Sequence, residues 1–149
     1  MTIKHLEAYD PGKTTGYAWF RFSDTQPLVL EKFGQIEDGV EGFIRRDYPM
    51  FDADIVISES FVLDGRTIRP NLEPLKIEGV LMADAYALQH ELVFQRNNFK
   101  THVDDARLKD IGWYQKGMPH ANDAIRHGLA WAKLHHRPTL DAYFRDTVE

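Results

Sequence analysis

Residues 8–20, AYDPGKTTGYAWF, predict how the fold begins, because they contain two strand-like segments joined by a turn. The first segment ends at Asp10, and the pair Pro11-Gly12 that follows is a strong turn signal. The alternation after the turn, with several aromatic side chains, is typical of a second strand. A third strand-like segment comes next. We therefore predict an antiparallel meander with strands over residues 3–9, 16–22 and 28–36.

The chain downstream alternates between helix and strand patterns. Residues 54–61, DIVISESF, form a compact β-branched run that is typical of a buried central strand. We predict a further strand over residues 92–95, a loop over 62–72, and helices over 38–50, 73–89, 104–113, 120–136 and 138–147. This order indicates an α/β fold built on a mixed sheet. A length of 149 residues fits one domain, residues 1–149.

The helix predicted over residues 73–89 is apolar on two sides. One side carries Leu75, Gly79, Met82 and Tyr86, and the other carries Ile77, Leu81 and Leu88. A helix that is apolar around most of its circumference is buried on both sides. We expect one side to pack on the sheet and the other on a partner subunit.

Composition excludes several classes of protein. The chain has no cysteine, which rules out disulfide scaffolds, thiolate metal sites and cysteine nucleophiles. It shows neither a signal peptide nor an apolar run of membrane-spanning length, so we expect a cytoplasmic protein without a membrane partner. The 18 Lys and Arg against 23 Asp and Glu argue mildly against a nucleic-acid binder. An enzyme that holds divalent cations on clustered carboxylates escapes this objection, since the cations invert the local field.

The sequence Gly12-Lys13-Thr14 suggests a phosphate-binding loop, but the spacing excludes it. That motif needs a glycine five positions before Gly12, where this chain has Glu7. What remains is an acidic residue, Asp10, at the end of a strand. It either contributes to a ligand or metal site at the sheet edge or caps the turn with its own side chain.

Glu59 is a second candidate, because it lies inside the β-branched run. Alternation places it on the same face as Ile55 and Ile57. A carboxylate on an apolar strand face is expensive unless a cation or a strong donor faces it. We favour a metal or catalytic role over a salt bridge or an edge strand.

The last long helix supplies a third candidate. A stripe of small and apolar residues on it is predicted to pack on the core: Ala121, Ile125, Gly128, Leu129 and Ala132. His120, Asp123 and His127 share a different stripe near the start of the helix, and residues three apart can face one site. Taken alone, His and Asp at this position are also explained as caps and dipole partners.

Together the three candidates favour a metal site. Asp10, Glu59, Asp123 and His120 form a mostly oxygen donor set, which suits Mg²⁺ or Mn²⁺ rather than zinc. Clusters of this kind hold two metals about 3.5–4 Å apart in phosphoryl-transfer enzymes. One metal activates water and the other stabilises the leaving 3′ oxygen.

Four segments carry a family resemblance. They are AYDPGKTTGYAWF at 8–20, DIVISESFV at 54–62, LKIEGVLMADAYAL at 75–88 and HANDAIRHGLAWA at 120–132. In this order and spacing they resemble the RuvC-like Holliday junction resolvases of the RNase H-like superfamily, in the branch carried by bacteriophages. The resemblance covers nearly the whole chain. It implies a five-stranded mixed sheet, with three antiparallel strands and then parallel strands, flanked by helices.

The resemblance also implies the site and its assembly. The family's catalytic tetrad falls on Asp10, Glu59, His120 and Asp123. Members are homodimers whose core is the helix after the glutamate strand, here residues 73–90. The dimer places two sites on a four-way DNA junction, and each site nicks one of two opposed strands. Two Mg²⁺ ions per site, or Mn²⁺ in their place, are the implied cofactors.

DNA contacts follow the same resemblance. Candidate phosphate and junction contacts are Lys13, Arg66, Arg69, Lys100, Lys109 and Lys116. For each lysine the alternative is a solvated surface charge. The loop after Glu59 differs in sequence from that of bacterial members, and the chain is shorter and more acidic than they are. A cleavage-site preference is therefore not implied.

The sequence predicts a divalent-metal-dependent endodeoxyribonuclease, a crossover junction endonuclease that nicks four-way junctions and other branched DNA. It would act in the cytoplasm of a bacterium or a phage-infected cell. A nuclease of the same fold that acts on forks, flaps or RNA precursors is one alternative. A protein that binds branched DNA without cutting it is another.

Overall fold

Five strands form one mixed sheet in the computed structural model, which describes residues 2–46, 53–63, 65–66 and 68–147. The strands are β1 (Lys4–Asp10), β2 (Thr15–Phe22), β3 (Val29–Ile36), β4 (Ile55–Glu59) and β5 (Glu91–Gln95). Their order across the sheet is β3-β2-β1-β4-β5. The β1–β2 and β2–β3 pairs are antiparallel, and the β1–β4 and β4–β5 pairs are parallel. The predicted fold class is thereby confirmed.

Helices flank the sheet on both faces. They are α1 (Gly39–Ile44), α2 (Glu73–Leu88), α3 (Asp105–Asp110), α4 (Pro119–His135) and α5 (Arg137–Tyr143), with 3₁₀ helices at Asn97–His102 and Arg145–Thr147. None of the helices in the described part of the chain has the length and apolar character needed to cross a bilayer.

The helices differ from the predictions in four places. The helix predicted over residues 138–147 spans Arg137–Tyr143, and the 3₁₀ helix Arg145–Thr147 follows it. The helix predicted over 38–50 ends at Ile44 in the described part of the chain, and residues 47–50 lie outside that part. The segment predicted as helix over 104–113 ends at Asp110, because Gly112 has a φ of 81°. The 3₁₀ helix Asn97–His102 was not predicted, since its sequence NNFKTH has no apolar period.

The core has two parts, one on each face of the sheet. On one face α4 packs against the strands, and the predicted stripe from Ala121 to Ala132 is buried there. On the other face α1 and α2 cover the sheet with Phe43, Ile77 and Leu81. The alternation predicted for β4 is confirmed, since Ile57 faces α4 and Val56 faces α2.

The two sides of α2 have different environments. Ile77 and Leu81 are fully buried against the sheet, as predicted. On the opposite side Leu75, Met82 and Tyr86 are exposed, with Tyr86 90% accessible in the single chain. Leu88, which was grouped with the sheet-facing side, is 42% exposed because it lies at the last turn of the helix. This apolar face of α2 is therefore not covered by any of the residues that the structure describes.

A glycine allows α4 to approach the sheet. Gly16 is the register partner of Asp10 across the β1–β2 pair. A Cβ atom built on Gly16 would overlap the backbone carbonyl of His120, in the first turn of α4. Backbone atoms at this contact cannot move aside as a flexible side chain would. Gly16 thus fixes the distance between the first turn of α4 and the end of β1.

We expect Gly16→Ala to destabilise the protein by about 1–3 kcal/mol or more, because the added methyl group must push α4 away from the sheet. Chemical denaturation measures the change. Gly65→Ala is the control, since no atom of the described residues lies within 4 Å of a Cβ built there. Equal stabilities for the two variants would show that the close approach does not constrain the fold.

Candidate active site

Two carboxylates meet at one edge of the sheet because of the strand order. Asp10 is the last residue of β1, Glu59 is the last residue of β4, and these neighbouring strands run parallel. Asp10 is only 7% exposed. Burial, a side-chain hydrogen bond with Glu59, and the charges of Glu59 and Asp123 raise the pKa of Asp10 to about 9. The edge therefore carries more negative charge than the protein around it compensates.

The first turn of α4 completes the predicted tetrad. His120 Nδ1 lies 3.4 Å from Asp10 Oδ2. Gln35 on β3 holds this turn in place, because its Oε1 accepts hydrogen bonds from the backbone N–H groups of His120 (3.0 Å) and Ala121 (3.4 Å). Gln35 caps the helix from strand β3, because the side chain of the preceding residue, Met118, makes no hydrogen bond with the first turn of α4. Asp10, Glu59, His120 and Asp123 are thus brought to one place.

Lys100 lies inside this cluster. Its Nζ is 3.4 Å from Glu59 Oε1 and 3.2 Å from Asp123 Oδ2, and its side chain is only 15% exposed. Lys100 was predicted to contact DNA phosphate. In the structure its ammonium group instead lies between two of the three carboxylates.

Arg126 holds Lys100 in position, and the sequence analysis missed it. Its Nε donates to the carbonyl of Val103 (2.6 Å) and its Nη2 to the carbonyl of Lys100 (2.8 Å). Its Nη1 lies 3.4 Å from Asp123 Oδ1. One guanidinium therefore fastens the 3₁₀ helix Asn97–His102 to α4 and contacts the carboxylate there.

Glu59 also contacts α4 through His127. Burial of the Glu59 carboxyl raises its pKa. Interactions with the side chains of His127 and Asp10 and the positive charge of Lys100 outweigh this effect and lower the pKa of Glu59 to about 2. His127 is fully buried, and its Nε2 lies 3.6 Å from Glu59 Oε1. The sequence analysis placed His127 on the same stripe as His120 and Asp123 but gave it no role.

The donor chemistry of the cluster fits a hard divalent cation. In the part of the chain that the structure describes, no three His, Asp or Glu side chains are already grouped as a metal site. In this structure the Lys100 ammonium lies between Glu59 and Asp123. Three carboxylates on separate elements, one with a strongly raised pKa, are nevertheless the oxygen ligands that Mg²⁺ and Mn²⁺ prefer. Asp10, Glu59 and Asp123 are the residues that would hold the metal, with His120 beside them.

The other basic candidates lie outside the cluster. Lys13 is exposed in the turn after β1, and Lys116 is exposed in the loop before α4. Lys109, on α3, places its Nζ 4.7 Å from the centre of the Tyr114 ring. Arg66 and Arg69 are exposed in the segment between β4 and α2. Their contact with DNA stays a prediction.

Known structures share this fold. The RuvC of T. thermophilus in complex with a Holliday junction substrate superposes with a TM-score of 0.63 at 13% identity, over 88% of this chain and 96% of that chain. The Thermus thermophilus RuvC structure gives a TM-score of 0.61 at 12% identity, over 86% and 93%. No protein-family model and no curated protein matches the chain. The likeness confirms the RuvC-like fold that the sequence motifs indicated.

We expect Asp10→Asn to raise the midpoint of thermal unfolding in the absence of metal, because it removes a buried acid that faces two other carboxylates. The pKa of Asp10 rises from 3.8 to about 9 on folding, so the folded state binds this proton more tightly. The stabilisation it brings is complete below pH 3.8 and is lost as the pH rises toward 9. The variant should lack this loss.

Thermal unfolding between pH 5 and 9 measures the effect, and each kcal/mol corresponds to about 2–4 °C at this chain length. Asp24→Asn, whose side chain is 91% exposed, is the matched control. An Asp10→Asn variant that is less stable than the parent across this range would contradict the electrostatic picture of the cluster.

Proposed function

We propose that the protein is a divalent-metal-dependent, structure-selective endodeoxyribonuclease that nicks four-way DNA junctions. The observation that carries the proposal is that Asp10, Glu59 and Asp123 lie close enough to interact electrostatically, with Lys100 Nζ between Glu59 and Asp123. Three elements that are distant in sequence supply these carboxylates at the edge where β1 and β4 end. Such an arrangement costs stability and is maintained where a site needs to bind a cation.

Each residue of the cluster has a role in this proposal. Bound Mg²⁺, or Mn²⁺ in its place, would activate water and stabilise the leaving 3′ oxygen of a phosphodiester. Asp10, Glu59 and Asp123 would hold the cations, and Asp10 lies next to both Glu59 and His120. His120 would orient a metal or its water. Hydrolysis would leave a 5′-phosphate and a 3′-hydroxyl.

Branched DNA is the proposed substrate. The related fold of T. thermophilus RuvC is seen in complex with a Holliday junction substrate. Five exposed basic side chains outside the cluster are the candidates for phosphate contact: Lys13, Arg66, Arg69, Lys109 and Lys116. We assign them to phosphate contact and assign Lys100 to the carboxylate cluster instead. The reaction would take place in the cytoplasm of a bacterium or of a phage-infected cell.

A homodimer is proposed through α2. Its outer face exposes Leu75, Met82 and Tyr86, and the preceding segment exposes Ile68 at 95%. Large apolar side chains that are exposed along one face of a helix favour an interaction site. A second copy of the chain would bury these side chains and bring two sites together, as the paired nicking of a junction requires.

Cleavage of a labelled four-way junction tests the proposed function. The assay runs beside a Y-fork, a flap, a linear duplex and a structured RNA, with Mg²⁺, Mn²⁺ or EDTA. We expect paired symmetric nicks on the junction that need the metal. We expect Asp10→Asn to abolish the nicks while junction binding persists, because the variant removes a metal ligand and no phosphate contact.

The other outcomes separate the alternatives. Equal cutting of forks and flaps would indicate a broader debranching nuclease with the same site. Cutting of RNA alone would move the substrate to RNA precursors, and binding without any cutting would indicate a binding protein. Nicking retained by pure Asp10→Asn would contradict the assigned site.

We expect Met82→Glu to shift the protein from dimer to monomer, because it places a charge in the centre of the apolar face of α2. Sedimentation velocity at several concentrations measures the shift. Lys76→Glu, on an exposed part of the same helix, is the control. A parent protein that sediments as a monomer with and without junction DNA would rule out this interface.

A further inference from the structure

His127 is the deepest histidine of α4 and lies between two polar side chains. It is fully buried, one helical turn after Asp123. Gln95, at the end of β5, contacts it on one side, and Glu59, at the end of β4, lies on the other. Gln95 is itself only 2% exposed. Buried polar side chains reduce the stability of the fold unless they are hydrogen-bonded to one another. The arrangement of these three side chains therefore points to a functional role.

The backbone fixes the orientation of Gln95. Its side-chain nitrogen lies 3.0 Å from the carbonyl oxygen of His127. A carbonyl oxygen only accepts hydrogen bonds, so the Gln95 atom facing it must be the NH₂ group and not the amide oxygen. The same nitrogen lies 3.1 Å from His127 Nδ1.

The orientation of Gln95 determines the tautomer of His127. Because the Gln95 amide donates to Nδ1, that ring nitrogen must be an acceptor, and the ring proton of neutral His127 must lie on Nε2. Nε2 is buried, and among the residues that the structure describes it has no hydrogen-bond partner closer than Glu59 Oε1 at 3.6 Å. Glu59 Oε1 is therefore the acceptor that the Nε2–H group of His127 faces.

A distance of 3.6 Å is slightly too long for a hydrogen bond. Contacts at active sites are often long before the site is loaded and shorten when it is. In this structure Glu59 Oε1 is shared with the Lys100 ammonium, 3.4 Å away. Departure of Lys100 would leave Nε2–H of His127 as the donor that holds this oxygen.

We infer that His127, locked by Gln95 in its Nε2–H tautomer, is a positioning residue that orients the Glu59 carboxylate for metal binding. It is not itself a ligand, since the nitrogen that faces Glu59 carries the proton. Donors behind a ligand carboxylate or imidazole fix its direction, and their loss typically costs 10- to 100-fold in metal affinity or activity. This role rests on the metal site of the proposed function.

The tautomer is tested first, without metal or DNA. Long-range ¹⁵N–¹H correlation spectra of the ¹⁵N-labelled protein distinguish a protonated from an unprotonated ring nitrogen, and the spectrum of His127→Gln assigns the signals. We expect Nε2 of His127 to be protonated and Nδ1 to be bare. A proton on Nδ1 and none on Nε2 would overturn the inference, because Nε2 would then have no hydrogen to donate to Glu59.

Metal binding is tested next, by the Mn²⁺ concentration that gives half of the full thermal stabilisation. His127→Leu removes the donor, and we expect its Mn²⁺ affinity to fall by about 10- to 100-fold. His127→Gln keeps an N–H group in place of Nε2 and should bind nearly as tightly as the parent. Gln95→Leu/His127→Leu removes both partners of the buried pair at once, so it keeps the comparison available where the single variant does not fold.

The outcomes separate this inference from the proposed function. Asp10→Asn is the reference for a site that cannot bind. A parent that responds no better than Asp10→Asn overturns the metal site and the positioning role together. A parent that binds Mn²⁺, with His127→Leu binding equally tightly, overturns the positioning role alone. Weak binding by both His127→Leu and His127→Gln also overturns it, because the loss would then reflect packing and not the donor.

Discussion

Like charges at the end of two parallel strands are the constraint on which the rest of the site depends. Asp10 and Glu59 end neighbouring strands, and α4 adds Asp123 to the same small volume. Burial and mutual repulsion oppose the ionisation of all three carboxyl groups, and they raise the pKa of Asp10 to about 9 unless a further cation lies beside it. In this structure the Lys100 ammonium lies between Glu59 and Asp123. The contacts around the site keep these charged side chains close together.

Helix α4 belongs both to the core and to the site, because its residues divide between two faces. Its stripe of small and apolar side chains packs on β1 and β2, and Gly16 lets the two backbones approach closely. The adjacent stripe carries His120, Asp123 and His127 to the end of the sheet. Arg126 then fastens the 3₁₀ helix Asn97–His102, with its lysine, to the same helix. Rigid packing on one face thus fixes the geometry of the charged groups on the next.

Sequence reasoning located the four tetrad residues because each has a local signal. Asp10 precedes a Pro-Gly turn, Glu59 interrupts an apolar strand face, and His120 and Asp123 are three apart on a helix. The mixed sheet, with three antiparallel strands and then parallel strands, followed from the alternation of elements and from the motif resemblance. The comparison with RuvC structures confirms the fold, while the roles of the four residues remain proposals.

The supporting residues have no comparable local signal. Lys100 and Arg126 resemble ordinary surface charges in the sequence. Their contacts Lys100–Asp123, Arg126–Val103 and Arg126–Lys100 join residues 23 to 26 positions apart. Gln95 and His127 are separated by 32 positions and meet only after β5 and α4 pack together. The 3₁₀ helix that carries Lys100 has no periodic pattern. Such contacts depend on the assembled sheet, which explains why a sequence pattern shows the ligands of a site more readily than their supports.

The most direct test of the cation site is a crystal structure of the protein grown with Mn²⁺, with an anomalous difference map. We predict a Mn²⁺ peak bound by Asp10 and by at least one of Glu59 and Asp123. We also predict that Lys100 Nζ has left its positions 3.4 Å from Glu59 and 3.2 Å from Asp123. A saturated crystal with no peak at these carboxylates, and with Lys100 still between them, would contradict the assignment of this cluster as a metal centre.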